Sequence, residues 1–227
     1  MSFRVIDLET WPRRRHFDFF AAMDMPHFTL TAPVDVTAFV PEVKARKVSL
    51  TVAVAHVLSA VACQMAEFRQ RIRETQVVEH DVVHPSFTVL SQDGLFGFCT
   101  VPFHPRFEVF SAQAQEKIDE AKARPSLEDG PGQDDLLFMT AIPWVGFTAI
   151  GHPMHQARTD SVPRLAWGKM EPSGNRLQMP LSLQAHHGLM DGLHAGRFFQ
   201  AVQARFDDPA RHLDGDALAW PFPFSSH

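Results

Sequence analysis

Between Gln184 and His194 the chain gathers three imidazoles and a carboxylate: Gln184-Ala185-His186-His187-Gly188-Leu189-Met190-Asp191-Gly192-Leu193-His194. An imidazole titrates near neutrality, so it can take a proton from an alcohol or thiol and return it later. A carboxylate four residues beyond His187 suits a structural anchor or, in other settings, a metal ligand. Three kinds of chemistry are therefore open: proton transfer, metal binding through His186, His187, Asp191 and His194, or plain hydrogen bonding by core histidines. Adjacent histidines on a strand point to opposite faces and rarely share one ion, which weighs against the metal. A lone histidine is best read as a core residue; the whole string argues for more.

The elements around the string would hold it rigidly. Leu177 to Gln184 alternates and reads as a strand, while Leu193 to Phe206 carries apolar residues at helical spacing. Asp191-Gly192 between them suits a tight turn and a helix N-cap. His187 then sits where a strand gives way to a helix, fixed by the scaffold and open on one side. Upstream, residues 3–8 read as a short strand, and Trp11-Pro12-Arg13 opens a helix to about Met23. Phe28 to Val36 alternates as a strand, and Thr37 can cap a short helix to about Arg46. The apolar run from Ser49 to about Glu67 reads as a buried helix. It contains Ser49, Thr51, His56, Ser59 and Gln64, too many polar groups for a lipid-facing span. Gln76–His80, Phe87–Leu90 and Leu95–Val101 read as strands of a meander, the last two a hairpin turning at Gln92-Asp93-Gly94. Phe107 to Ala123 is an amphipathic helix, and Ser126 to Asp135, with Pro131 between two glycines, is a loop. Strands are also expected at Leu136–Thr140, Phe147–Ile150, Pro163–Lys169 and Leu177–Gln184, the last two joined by Pro172-Ser173-Gly174-Asn175. Past about Asp207 the chain reads as a docked tail. Strands and helices mix without strict alternation, which predicts an α/β two-layer sandwich: a large, mostly antiparallel or mixed sheet packed by helices, in one domain spanning 1–227.

The string His186-His187-Gly188-Leu189-Met190-Asp191-Gly192 resembles the HHxxxDG signature of chloramphenicol acetyltransferases, shared more loosely by the dihydrolipoyl acyltransferase core. Three further anchors follow in the family's order. Phe3 to Phe17 is similar to its amino end, with Trp-x-Arg and His-Phe. Met139-Thr140-Ala141-Ile142-Pro143-Trp144-Val145 is similar to its Ser-Ala-Leu-Pro-Trp-Val segment, and Arg176 to Leu183 to the strand before the histidines. The resemblance runs from about residue 3 to about residue 206.

It implies that His187 is the general base for direct acetyl transfer from acetyl-coenzyme A, with no acyl-enzyme and no permanently bound cofactor. It makes Thr140 the donor to the oxyanion of the tetrahedral intermediate, and it pairs Arg13 with Asp191 in a salt bridge. Lys47 and Lys169 align with lysines near the coenzyme phosphates, and Trp144 belongs with them on the coenzyme side; Met170 replaces an adenine-stacking Tyr. Phe19, Phe28 and Phe96 match aromatic positions of the acceptor pocket, and Phe98 replaces a small residue. Phe20 stands where relatives carry a Tyr whose hydroxyl binds chloramphenicol, and Asp24 replaces an apolar residue. Ala166 stands where the family has a water-holding Thr. The resemblance further implies a homotrimer with sites at subunit boundaries, the base of one subunit facing the pocket of its neighbour, so that His187 and the group Phe19, Phe20 and Phe28 would come from different chains.

Composition agrees with such an enzyme. Among 227 residues, 45% are hydrophobic and 21% charged, as in globular proteins, and the net charge of -5 with no basic block disfavours a nucleic-acid partner. Cys63 and Cys99 form no CxxC pair and suit a reducing compartment, and Arg13-Arg14-Arg15 is followed by no apolar signal region. The expectation is a cytoplasmic protein away from membranes. The chain has twenty Phe and no Tyr, so any phenol hydroxyl used by relatives is missing. Chloramphenicol is the acceptor the resemblance points to. The alternatives are another small alcohol or thiol, lipoamide ranking lower because no lipoyl domain or Ala/Pro-rich linker precedes the core, or a non-catalytic binding protein that keeps the fold.

Overall fold

The computed structural model describes residues 2–128, 130 and 132–220. In chain order its elements are β1 (Phe3–Val5), α1 (Arg14–Ala21), β2 (His27–Asp35), α2 (Phe39–Ala45), α3 (Leu50–Gln64), α4 (Ala66–Arg69), β3 (Gln70–Arg73), β4 (Gln76–His80) and β5 (His84–Leu90). Then come β6 (Phe96–Thr100), α5 (Phe107–Ala123), β7 (Leu136–Ile142), β8 (Arg164–Gly168), β9 (Glu171–Ser173), β10 (Arg176–His186), α6 (Gly192–Asp207) and α7 (Pro209–Asp214). A large mixed sheet runs β2-β10-β8-β7-β5-β6, with β9 paired to β10, and a small sheet runs β1-β4-β3. The β5–β7 and β7–β8 pairs are parallel and the others antiparallel.

Strand alternation divides the large sheet into two chemically different faces. Leu181, Leu183, Leu165, Trp167, Leu137 and Met139 belong to the main core with α3, α5 and α6. Helix α3 is apolar around most of its circumference and is buried accordingly; Ser49 caps it by accepting from the Val52 N–H. Phe68 stacks on Phe198 of α6 at 4.4 Å between centroids. The opposite face carries an in-register row of Thr31 on β2, Ser182 on β10, Ala166 on β8 and Thr140 on β7. The Thr31 hydroxyl donates to Ser182 Oγ at 2.9 Å. The small sheet is tied to the large one by Arg71, whose buried guanidinium donates to the carbonyls of Phe68, Gln70, Asp134 and Leu136.

Several expectations change. The meander is broken: β4 pairs with β1 and β3, and only β5 and β6 form the expected hairpin within the large sheet. Phe147–Ile150 is not a strand. Because β7 and β8 are parallel, the intervening chain must cross back along the sheet rather than pair beside it. Phe147 instead packs where a Cβ on Gly168 would come within 2.9 Å of its ring. Thr37 does not cap α2; its hydroxyl donates to Asp35 Oδ1 and accepts from the Leu177 N–H. Pro172 and Ser173 lie in β9, leaving Gly174-Asn175 to turn into β10. The helix begun at Ser49 ends at Gln64, where Met65 is extended, and α1 ends at Ala21. The expected docked tail is helical in part: α7 is held by Asp214 to Arg46 and by His212 to His56. Pro131 and residues 221–227 lie outside the described residues.

Candidate active site

His187 is placed by the end of β10. The Leu189 and Met190 N–H groups both donate to the His186 carbonyl, which folds the chain back, and the His187 N–H donates to the Pro26 carbonyl at 2.7 Å. Gly188 makes the fold-back possible, since a Cβ there would meet the His186 ring at 3.0 Å and Phe17 at 3.3 Å. The two histidines then diverge. His186 is buried and satisfied at both nitrogens: Nδ1 accepts from the Gly188 N–H, which leaves Nε2–H to donate to the Arg158 carbonyl at 3.1 Å. Burial, with the neighbouring His27 charge, pulls its pKa down to about 4. It is a core histidine. His187 is half-buried and stacked flat on Phe20, centroids 3.9 Å apart, with Phe28 tilted against it at 5.0 Å. Its Nδ1 is buried without a partner among the described residues.

One side chain grips the backbone beneath this ring. Arg13 donates through NH2 to the His187 carbonyl, through Nε to the Gly188 carbonyl, and through NH1 to Asp191 Oδ2 at 2.8 Å. Asp191 also caps α6, its Oδ1 accepting from the Leu193 N–H at 3.0 Å. Burial pushes the Asp191 carboxyl up, but the hydrogen bond and charge of Arg13 and the Leu193 N–H outweigh it and hold the group at about 2.

The remaining aromatic positions split into two groups. Phe19 meets Phe20 edge-on at 5.1 Å and stays with His187. Phe96 and Phe98 lie together on β6, at the far edge of the sheet. Thr140 is half-buried on β7, two strands from β10 and level with Ser182. Strand spacing puts it about 10 Å across the sheet and about 16 Å along it from His187. One chain therefore gathers His187, Phe19, Phe20, Phe28, Arg13 and Asp191, and leaves Thr140, Phe96 and Phe98 on strands away from them. The expected division, with His187 opposite Phe19, Phe20 and Phe28 of another subunit, is corrected, because β2 pairs with β10 and brings Phe28 beside the histidine turn of its own chain.

The coenzyme positions also separate. Lys169 and Trp144 are neighbours, the Lys169 N–H donating to the Val145 carbonyl at 3.0 Å beside a cavity of about 780 Å³ that reaches Thr148, Glu171 and Pro180. Lys47 lines a different cavity of about 600 Å³ with Ser49, Arg106 and Asp214. Burial pushes both Cys63 and Cys99 up to about 11, so neither is a thiolate nucleophile at neutral pH. Sequence reading weighed His194 only as a metal ligand and did not single out Arg158. His194 closes the cap around Asp191, and Arg158 pairs with Asp24 near the His186 ring. Only the position of His194, three residues after the N-cap, was legible beforehand.

The chain belongs to the chloramphenicol acetyltransferase family, whose sequence model matches residues 1–203. It is 30% identical over 208 residues to a chloramphenicol acetyltransferase of Streptomyces acrimycini, covering 90% of this chain and 94% of the relative. It is 29% identical over 210 residues to one of Escherichia coli, covering 91% and 95%. A solved chloramphenicol acetyltransferase structure superimposes with a TM-score of 0.81 at 26% identity, covering 89% of this chain and 99% of the other.

Proposed function

We propose that this single acetyltransferase domain, residues 1–227, moves the acetyl group of acetyl-coenzyme A to a hydroxyl of chloramphenicol. The observation that carries the reading is the His187 ring, clamped between Phe20 and Phe28 above the Arg13–Asp191 grip. His187 Nε2 takes the acceptor's hydroxyl proton as the oxygen attacks the thioester carbonyl. The Thr140 hydroxyl donates to the oxyanion; losing such a donor costs about 3–4 kcal/mol of barrier. The intermediate collapses, expelling the coenzyme thiolate, which takes the proton back from His187. Trp144 and Lys169 lie on the coenzyme side, with Lys47 reaching it from the other cavity.

Base and oxyanion donor sit too far apart in one chain to act on one acyl group, which supports a homotrimer whose neighbouring copies supply the two half-sites. Exposed Phe19, Met23 and Met25 beside one half-site and exposed Leu95, Phe96 and Trp144 toward the other are surfaces that such a boundary would cover. Closed threefold symmetry repeats the same junction three times. Among the described residues no helix is long and apolar enough to cross a membrane, which fits a cytoplasmic enzyme.

The test is release of coenzyme A thiol from acetyl-coenzyme A on adding chloramphenicol, with mass spectrometry of the acetylated product. No release above the acceptor-free rate would sink chloramphenicol as acceptor. A second reading, another small alcohol, is favoured by Phe20, which offers no hydroxyl, and by the Asp24–Arg158 ion pair near the histidines. A panel of small alcohols in the same assay decides between them.

A further inference from the structure

The Asp191 cap carries an unusual partner. A capping box normally has Glu or Gln three residues into the helix, reaching back to the N-cap N–H. Here His194 does this: the Asp191 N–H donates to His194 Nδ1 at 3.1 Å, while the Asp191 side chain accepts from the helix N–H groups. An imidazole nitrogen that accepts must be unprotonated, which puts the ring proton on Nε2. His194 Nε2 lies 3.3 Å from Glu67 Oε1 on α4, a carboxylate that favours that tautomer. His194 Nδ1 is also 3.0 Å from Asp191 Oδ1, so a proton on Nδ1 would oppose the Asp191 N–H and turn toward the carboxylate instead. Asp191 in turn meets Arg13, and Arg13 holds the His187 and Gly188 carbonyls. Four linked side chains thus run from α4 to the backbone of the candidate base.

We propose that Glu67 and His194 are positioning residues for acetyl transfer: together they lock the Asp191 cap, and through Arg13 they fix where His187 points. The inference rests on His187 being the base. A misplacement of about 1 Å at a reacting group costs about a hundredfold in rate, so the lock acts on turnover rather than on binding.

The experiment compares His194→Leu with His194→Gln, and Glu67→Leu with Glu67→Gln, at a temperature where circular dichroism shows every variant folded. Gln at 194 keeps an acceptor for the Asp191 N–H, and Gln at 67 keeps one for His194. The expected result is that both Leu variants lose about tenfold or more in kcat with KM for either substrate nearly unchanged, while both Gln variants recover most of the loss. Nitrogen-15 spectra of histidine-labelled enzyme should show His194 with its proton on Nε2, and Glu67→Leu should weaken that preference. Wild-type kcat in folded His194→Leu, a loss in His194→Gln as deep as in His194→Leu, or an Nδ1–H tautomer would each overturn the proposal. A fully active His187→Ala would instead overturn the reading of the base itself. An inactive His187→Ala beside a wild-type His194→Leu would overturn only the lock.

Discussion

At the scale of the residue, adjacent histidines have been given opposite fates by strand geometry. His186 turns inward, satisfies both nitrogens and is kept neutral; His187 is half-buried and lies flat on Phe20. Replacing His187 by Ala is expected to lower kcat about 10²–10⁴-fold with the circular dichroism spectrum unchanged. Activity near wild type would remove it from the mechanism. Asp191 has a different task. Removing one member of a buried ion pair strands the other at about 3–5 kcal/mol, an upper range here because Asp191 is partly exposed. Asp191→Asn should therefore lower both melting temperature and turnover, and a variant that melts normally but turns over slowly would show direct action on the reaction.

At the scale of the element, two buried polar joints hold helices and sheets in register. Arg71 joins the small sheet to the β7 end of the large one through the Asp134 and Leu136 carbonyls, and also holds those of Phe68 and Gln70 on its own side. Each buried acceptor left without a donor costs about 1–3 kcal/mol, so Arg71→Leu should destabilise by about 3 kcal/mol or more in urea unfolding. A loss under 1 kcal/mol would mean that water reaches those carbonyls. The second joint links α3, α6 and α7. Arg205 donates to His212 Nδ1, and the remaining donor and acceptor then order as His212 Nε2–H to His56 Nδ1 and His56 Nε2–H to the His104 carbonyl. Burial lowers His56 to about 4 and His212 well below its ordinary value, as it lowers His186 to about 4. In the unfolded chain these rings titrate near 6.5. Between about 6.5 and about 4 the unfolded state binds protons that the folded state refuses, so stability should be full above neutrality and fall through that window. Melting temperatures measured from pH 8 to pH 4 check it; a flat profile would refute it.

At the scale of the whole molecule, the proposed reaction needs two groups, His187 and Thr140, that one sheet keeps apart. If His187 of one copy works with Thr140 of the next, mixing His187→Ala subunits with Thr140→Ala subunits restores one intact site in every mixed trimer. His187→Ala mixed with Phe28→Arg should restore none, because Phe28 packs on His187 of the same chain. Recovery in the second mixture, or an active monomer by light scattering, would sink this arrangement.

Local signals were enough to read the buried α3 helix, the α5 amphipath, the β5–β6 hairpin and the histidine turn, since each is written in neighbouring residues: apolar spacing, a capping Ser49, a Gly94 turn, Asp191-Gly192. The pairing of Arg13 with Asp191 came from resemblance, and its reach of 178 positions could not come from periodicity. What the tertiary structure decided is long-range. Strand order sent β4 to a separate sheet, parallel pairing turned the expected strand at Phe147–Ile150 into a crossover, and β2 beside β10 put Phe28 on His187's own chain. The reason is physical: periodicity records which face of an element is apolar, whereas the neighbour that covers that face is chosen by packing and hydrogen bonding across the whole sheet.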